Sequence, residues 1–284
     1  MSALASAVLL VAVLSAVGGC GSAAPVVKKV DHLVINSQDP KKLFELMTGT
    51  LGLPVAWPFT EYPGFATGGV QVGNVNIEVL HFGPASNAAE PKAFLYGIVL
   101  EPYPLAQSVP DLAKRGAGPG EPEVQMTEVG GAQVPAWTNV TLEKLCGPAY
   151  TVYLCEYTPE MKERLSSRQA SGALGLLGIT GVESVVIAAT DAPGLQKAWS
   201  AAMAPSRMTA PGVLTLGSGP AIRVVSGAED ALDSLVFTVD SVTAAEEACN
   251  RAGVPVSLSE GKLTIGPNYI QGLRIVMAEE GGAR

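Results

Sequence analysis

The feature that most constrains the fold of this chain is an internal repeat: after Pro25, one pattern of predicted elements occurs four times. Each unit consists of a strand, a helix and two or three further strands, within about 50 to 65 residues. One small sheet buries too little apolar surface to be stable alone, so we expect the units to pair two by two. The repeat therefore predicts an α+β protein with tandem βαβββ modules, four in total, in two domains.

The strands are predicted from alternating apolar residues and from turn signals between them. In the first two units they are 29–35, 64–71, 74–82, 94–100, 137–145 and 150–157. In the last two units they are 182–187, 212–216, 221–225, 232–239, 262–265 and 273–278. Helices are predicted to follow Asp39-Pro40 and Asp191-Ala192-Pro193, and to occupy 105–115 and 242–252.

The composition indicates a folded, turn-rich protein. Of the 284 residues, 48% are hydrophobic and 15% are charged, and there are 32 glycines and 21 prolines. The formal net charge of −8 would repel a nucleic-acid backbone, so we expect no nucleic-acid partner. The four cysteines are too few for a disulfide scaffold and show no C-x-x-C spacing.

Residues 1–25 are predicted to be a signal or anchor segment outside the fold. Residues 3–17 form an apolar run that is short for a membrane span and typical of a secretory signal peptide. The following Gly18-Gly19-Cys20 resembles the cleavage motif of bacterial lipoproteins, which implies lipidation of Cys20. Residues 1–3 contain no Lys or Arg, so a plain anchor, a cleaved signal and a meaningless extension stay open.

We therefore expect an exported, membrane-anchored lipoprotein that touches the membrane only through this segment, or a cytoplasmic protein if the segment is not a functional signal. We predict that the remaining chain consists of an N-terminal domain at 26–160, a linker at 161–177 and a C-terminal domain at 178–284.

The order and spacing of four short segments resemble the vicinal oxygen chelate superfamily, which includes glyoxalase I, extradiol dioxygenases and bleomycin resistance proteins. The segments are Val30-Asp31-His32-Leu33-Val34-Ile35, Leu51-Gly52-Leu53-Pro54-Val55, Asn76-Ile77-Glu78-Val79-Leu80 and Tyr153-Leu154-Cys155-Glu156-Tyr157. The resemblance covers nearly all of the chain after residue 28. It implies two glyoxalase-like domains, each with a cleft where the first and last strands of two modules supply the ligands of a divalent metal.

Matched residue by residue, the resemblance implies a metal site formed by His32, Glu78 and Glu156, with Leu95 at the fourth position. One imidazole and two carboxylates suit several divalent metals, so the residue types do not identify the ion. His81 lies three residues after Glu78 and is expected on the opposite face of the strand. Without a second placed histidine, extradiol dioxygenase activity is disfavoured.

Each of these residues also has a structural interpretation. His32 shares its strand face with two valines, which fits a core position as well as a cleft floor. Glu78 and Glu156 could equally face solvent. The aromatic residues near the expected cleft mouth either pack together or belong to a substrate lid formed by the loop from Pro54 to Gly64; they are Trp57, Phe59, Tyr62, Phe65 and Tyr96.

The resemblance implies a metal-dependent isomerase or lyase that acts on a small oxygen-rich molecule, with Glu78 or Glu156 moving the proton. The alternative is a non-catalytic protein that sequesters a small molecule in the same cleft. Nothing in the sequence indicates an oligomeric state. In the last two units the matching positions are Ser184, Arg223, Ser234 and Arg274. The two arginines would repel a cation, so the C-terminal domain is expected to be structural or to bind an anionic group.

Overall fold

The computed structural model describes residues 23–83, 89–166, 174–209 and 212–280. The predicted signal segment up to residue 22, with Cys20, lies outside the described residues. None of the helices in this described part of the chain has the length and apolar character needed to cross a membrane.

The N-terminal half contains the first two modules. Its elements are β1 (Val27–Ser37), α1 (Pro40–Glu45), β2 (Val55–Tyr62), β3 (Phe65–Val72), β4 (Val75–Phe82), β5 (Ala93–Pro102), α2 (Leu105–Lys114), β6 (Glu123–Val129), β7 (Ala132–Thr141), β8 (Thr151–Tyr157) and α3 (Pro159–Ser166). Its strands follow the order β2-β3-β4-β1-β5-β8-β7-β6. In each module the opening strand is parallel to the closing strand, and β1 and β5 join the two modules as an antiparallel pair.

The C-terminal half repeats this plan. Its elements are β9 (Ile179–Ala189), α4 (Ala192–Ala202), β10 (Val213–Leu214), β11 (Ala221–Ser226), β12 (Ala231–Val239), α5 (Val242–Ala252), β13 (Val256–Ser259), β14 (Lys262–Ile265) and β15 (Ile275–Glu279). The antiparallel pair β9–β12 corresponds to β1–β5, and one pairing between Leu232 and Leu95 connects both halves into a 15-stranded sheet. The predicted α+β fold of four repeated modules is thereby confirmed, although the third module has only two strands after its helix.

Local signals explain where the helices begin. The Asp39 side chain accepts a hydrogen bond from the Lys42 backbone N–H, and Asp191 does the same for Gly194. Each aspartate is followed within two residues by a proline in the first turn, where its missing N–H costs nothing. The same capping signal therefore begins the helix of the first module and that of the third.

Three strands were absent from the predictions: β2, β6 and β13. Each is an edge strand with a single partner in its sheet, and each has several exposed residues. The prediction of a loop from Pro54 to Gly64 is therefore wrong, because most of this segment forms β2, which pairs with β3. Its proline at position 58 is tolerated because an edge strand has one side without ladder hydrogen bonds.

Two clusters of buried side chains lie on opposite faces of the N-terminal sheet. The larger cluster includes the helices and extends through both halves. The smaller cluster is confined to the first half and consists of Val34, Leu80, Val99 and Cys155, with partly buried aromatic side chains around it. We call the sheet face that carries this smaller cluster the inner face.

Candidate functional site

His32 and Glu78 meet on the inner face because of the register between β1 and β4. Val34 is paired with Glu78 in the parallel ladder, and His32 lies two residues before Val34 on the same side of its strand. The His32 Nε2 atom is 3.5 Å from the Glu78 Oε2 atom. The opening and closing strands of the first module thus supply one polar side chain each to a buried position.

Asp31 completes this cluster from the other side of the imidazole. Its Oδ2 atom accepts a 2.7 Å hydrogen bond from His32 Nδ1 and a 2.9 Å hydrogen bond from the Tyr157 hydroxyl. Adjacent residues in a regular strand point to opposite faces, but the β1–β5 register shifts between Val30 and His32. This irregularity allows Asp31 to reach the imidazole of its neighbour.

Glu78 is held by a further hydrogen-bond chain. The Thr67 hydroxyl donates to Glu78 Oε1 at 2.6 Å, and the Trp57 indole N–H approaches Thr67 Oγ1 at 3.5 Å. The Trp57 ring also meets the His32 ring edge to face, with centroids 6.2 Å apart. Gly69 makes this placement possible because a side chain there would overlap the Trp57 ring.

The two carboxylates determine the charge of His32. Burial opposes the charged imidazolium, since only 7% of His32 is exposed, but hydrogen bonds and charges from Asp31 and Glu78 raise its pKa to about 9. Burial likewise opposes the Asp31 carboxylate, yet His32 and Tyr157 lower the pKa of Asp31 overall. At neutral pH the cluster is therefore an imidazolium between two carboxylates.

The second module presents tyrosines where the first presents this cluster. Val99 is paired with Tyr153, as Val34 is paired with Glu78, so Tyr153 occupies the position that corresponds to Glu78. Leu95 belongs to the large helix-side core, while its neighbour Tyr96 packs on the inner face. Glu156, which the resemblance to the superfamily assigns to this position of β8, lies three residues after Tyr153.

Glu156 lies away from the cluster, at the beginning of α2. Its Oε1 atom accepts a 3.1 Å hydrogen bond from the Leu105 backbone N–H. The fourth module repeats this contact, because Glu279 Oε1 accepts from the Val242 backbone N–H at the beginning of α5 at 2.9 Å. Both glutamates thus satisfy donors that a helix N-terminus leaves without an intrahelical partner. The structure brings His32 and Glu78 together and does not bring Glu156 to them.

Sequence reasoning missed three members of the cluster: Asp31, Thr67 and Tyr157. Asp31 was hidden by the alternation rule, which assigns neighbours to opposite faces. Thr67 and Tyr157 occupy ordinary strand positions with no motif of their own. His81 lies opposite Ala66 on β3 and is not a member of the cluster.

The cluster has too few converging ligand atoms for a complete metal site. Catalytic zinc sites use three protein ligands, whereas two ligand atoms converge here, from His32 and Glu78. Burial, with nearby carboxylate charge, raises the pKa values of Tyr153 and Tyr157 well above their usual range, so both phenols stay neutral. Within residues 23–83, 89–166, 174–209 and 212–280, no group of three or more His, Cys, Asp or Glu side chains is arranged to hold a metal ion.

Space for a ligand adjoins the cluster. A cavity of about 200 Å³ is lined by Asp31, Trp57 and Tyr157. Its other lining residues are mostly polar; they are Lys29, Gly73, Asn74, Val75, Asn76, Glu101, Lys162, Leu165 and Ser166. The inner face beyond it carries partly buried aromatic rings, which are Phe65, Tyr96, Trp137, Tyr153 and Tyr157. A polar cavity beside an aromatic surface offers a small molecule both hydrogen bonds and apolar contact.

Comparison with known proteins gives the class of fold. No protein-family model matches the chain, and no curated protein matches it by sequence. Solved structures do match, and they confirm the predicted vicinal oxygen chelate fold.

Three of the matching structures span most of the chain. A hypothetical protein from Staphylococcus aureus has a TM-score of 0.60 and 12% identity over 88% of this chain and 99% of its own. A mutant of 4-hydroxymandelate synthase from Streptomyces coelicolor has a TM-score of 0.58 and 14% identity, over 92% and 94%. A variant of homoprotocatechuate 2,3-dioxygenase from B. fuscum has a TM-score of 0.54 and 13% identity, over 90% and 72%. At these identities the similarity concerns the fold.

Proposed function

We propose that the N-terminal half binds a small organic molecule with an aromatic or apolar body and an oxygen acceptor. The observation that carries the proposal is the buried His32 imidazolium at one side of an aromatic-lined face. The rings of Trp57, Tyr153 and Tyr157 supply apolar contact area, and the Tyr153 hydroxyl, which stays protonated, supplies a donor for an oxygen atom of the ligand. His32 holds the Asp31 and Glu78 side chains that border this face.

The proposed binding on this face requires no metal ion. His32 already has a carboxylate at each ring nitrogen, and the second module offers neutral phenols in place of further ligands. A neutral, aromatic wall selects for flat ligands through ring stacking, while the polar cluster sets their orientation.

Ligand-observed NMR tests this function. We would screen small phenols, aromatic ketones and their cyclohexyl counterparts against the full chain in EDTA. The aromatic compounds are expected to bind, and Trp57→Ala and His32→Gln are each expected to weaken binding about tenfold. His81→Gln is the matched control and should bind like the wild type. Binding that requires added Mn, Ni or Zn, or that survives both cleft substitutions, would contradict the proposal.

A second candidate is the metal-assisted isomerase or lyase expected from the resemblance. It is favoured by the 3.5 Å separation of His32 Nε2 and Glu78 Oε2, which suits two ligands at about 2.1 Å from one ion. The Asp31 hydrogen bond would orient the imidazole for such a role.

Thermal unfolding separates the two candidates. A metal site predicts a rise in the melting temperature with Mn, Ni or Zn that EDTA reverses and that His32→Ala removes. Glu156→Gln removes the rise if Glu156 rearranges to become a ligand, and His81→Ala keeps it. An unchanged melting temperature of the wild type with all three metals rules out this candidate.

The predicted export of the protein stays a proposal as well. It rests on the apolar run that precedes Cys20. Cys20→Ser should abolish lipid labelling and membrane retention in a bacterial host. A chain that keeps Met1 by mass spectrometry and stays in the membrane fraction after this substitution would contradict lipidation at Cys20.

A further inference from the structure

The C-terminal half repeats the geometry of the polar cluster with different chemistry. Val186 is paired with Arg223 in the parallel ladder between β9 and β11, as Val34 is paired with Glu78. Ser184 lies two residues before Val186 and therefore stands where the first module has His32. A serine and an arginine thus share the face on which the first module holds an imidazole and a carboxylate.

Both side chains have a buried polar atom without a hydrogen-bond partner. These atoms are Ser184 Oγ and Arg223 Nε, and the statement holds for the residues that the structure describes. Ser184 is 1% exposed, whereas 28% of the Arg223 side chain reaches the surface. Buried donors without acceptors are costly, so two of them on neighbouring strands indicate a missing acceptor.

The surrounding charges leave Arg223 incompletely paired. Glu183 Oε1 is 3.6 Å from Arg223 Nη2, which is beyond hydrogen-bond distance. On the neighbouring strand β12, Asp233 Oδ2 accepts hydrogen bonds from Ser234 Oγ at 2.9 Å and from Arg274 Nη1 at 3.0 Å. Asp233 is therefore already hydrogen-bonded within the fourth module. Arg274 lies just before β15, and the residue of that module in the position that corresponds to Glu78 is Val276.

We propose that the C-terminal half binds a small carboxylate at Arg223 and Ser184. The planar guanidinium offers its Nε–H and an Nη–H to the two oxygens of a carboxylate, and the Ser184 hydroxyl donates to one of them. The exposed part of Arg223 gives the ligand its approach. This site is separate from the inner face of the N-terminal half and does not depend on the function proposed there.

Arginine side-chain NMR of the full chain tests the site directly. The Arg223 Nε–H signal is assigned by its loss in Arg223→Gln, and sodium acetate is titrated at constant ionic strength. We expect a saturable shift of this signal, with acetamide, the neutral analogue, binding at least about tenfold more weakly. Ser184→Ala should weaken acetate binding, and Glu183→Gln should strengthen it because a competing carboxylate is removed.

Arg251 is the matched control, since it is an exposed helix residue paired with Glu247. Its Nε–H signal should respond weakly and without saturation. The proposal is overturned if the Arg223 signal behaves like that of Arg251, or if Ser184→Ala and Glu183→Gln both leave the acetate affinity unchanged. Saturation by inorganic phosphate but not by acetate would overturn the assignment to carboxylates. His32→Gln should leave acetate binding intact, so failure of the N-terminal site is distinguishable from failure here.

Discussion

The two halves of the molecule share the order and pairing of their central strands but differ in the charged side chains that these strands carry. In the first half, the opening and closing strands bring together His32 and Glu78, and Asp31 binds the imidazole. In the second half, the same register brings together Ser184 and Arg223, with Glu183 nearby. The pairing of the strands thus determines where side chains meet, whereas the residue types determine whether the site favours a cation, an anion or a neutral ligand.

The structural contacts of the repeat are preserved where the polar clusters are not. Glu156 and Glu279 make the same hydrogen bond to the first turn of their helices, at 3.1 and 2.9 Å. Asp39 and Asp191 cap the helices of the first and third modules in the same way. Repetition of a contact across modules is therefore a sign of a structural role, which is how we interpret Glu156.

Removal of the Trp199 side chain tests whether the halves behave as separate units. Trp199 is fully buried in the core cluster that both halves share. Trp199→Ala should lower the free energy of unfolding by about 3–5 kcal/mol. The two remaining tryptophans, Trp57 and Trp137, both lie in the N-terminal half, so their fluorescence reports that half alone during denaturant unfolding.

If the shared core couples the halves, this fluorescence transition shifts to lower denaturant together with the far-UV circular dichroism transition. A fluorescence midpoint that stays at the wild-type value would show that the halves unfold independently. The two halves would then be autonomous domains.

The next effect distinguishes the polar clusters by their titration. His32 has a folded-state pKa of about 9 and an ordinary value of 6.5, so its contribution to stability is complete below pH 6.5 and is lost as the pH rises through 9. We expect the free energy of unfolding to fall by on the order of 3 kcal/mol across this window. The corresponding cluster of the second half contains no histidine.

Chemical denaturation at a series of pH values measures this dependence. His32→Gln should flatten the curve between pH 6.5 and 9, while His81→Gln, which changes the other histidine of the chain, should keep the wild-type slope. Equal slopes in the wild type and in His32→Gln would mean that His32 is not charged in the native state.

Substitution of the two helix-capping glutamates tests whether both have the same structural role. Glu156→Gln and Glu279→Gln each retain a hydrogen-bonding oxygen but remove the negative charge at a helix N-terminus. Each substitution should lower the free energy of unfolding by about 0.3–1 kcal/mol, less at high salt. Thermal unfolding measures both, and ligand binding on the inner face should be unchanged in Glu156→Gln. A large loss of ligand binding in that variant would return Glu156 to the functional site.

Much of the fold could be predicted because its central strands and helices carry local signals. The helix at Val242–Ala252 and the strand at Lys262–Ile265 have the predicted bounds, and Ser241 and Gly253 cap that helix as their residue types suggest. The edge strands β2, β6 and β13 could not be predicted in the same way. An edge strand has one ladder partner and an exposed border, so it lacks a buried alternating pattern and tolerates proline.

The amino-acid sequence is enough to predict the repeat, the fold class and the presence of His32 and Glu78 in opening and closing strands. Which side chains meet these two depends on the alignment of the strands in the folded chain. A shift in strand register admits Asp31, and Tyr157 reaches Asp31 from β8, which is not the hydrogen-bonded neighbour of β1. The parallel ladder places Tyr153 rather than Glu156 in the position that corresponds to Glu78. Periodicity along one strand specifies a face, but contact between strands depends on their relative register, which no single strand encodes.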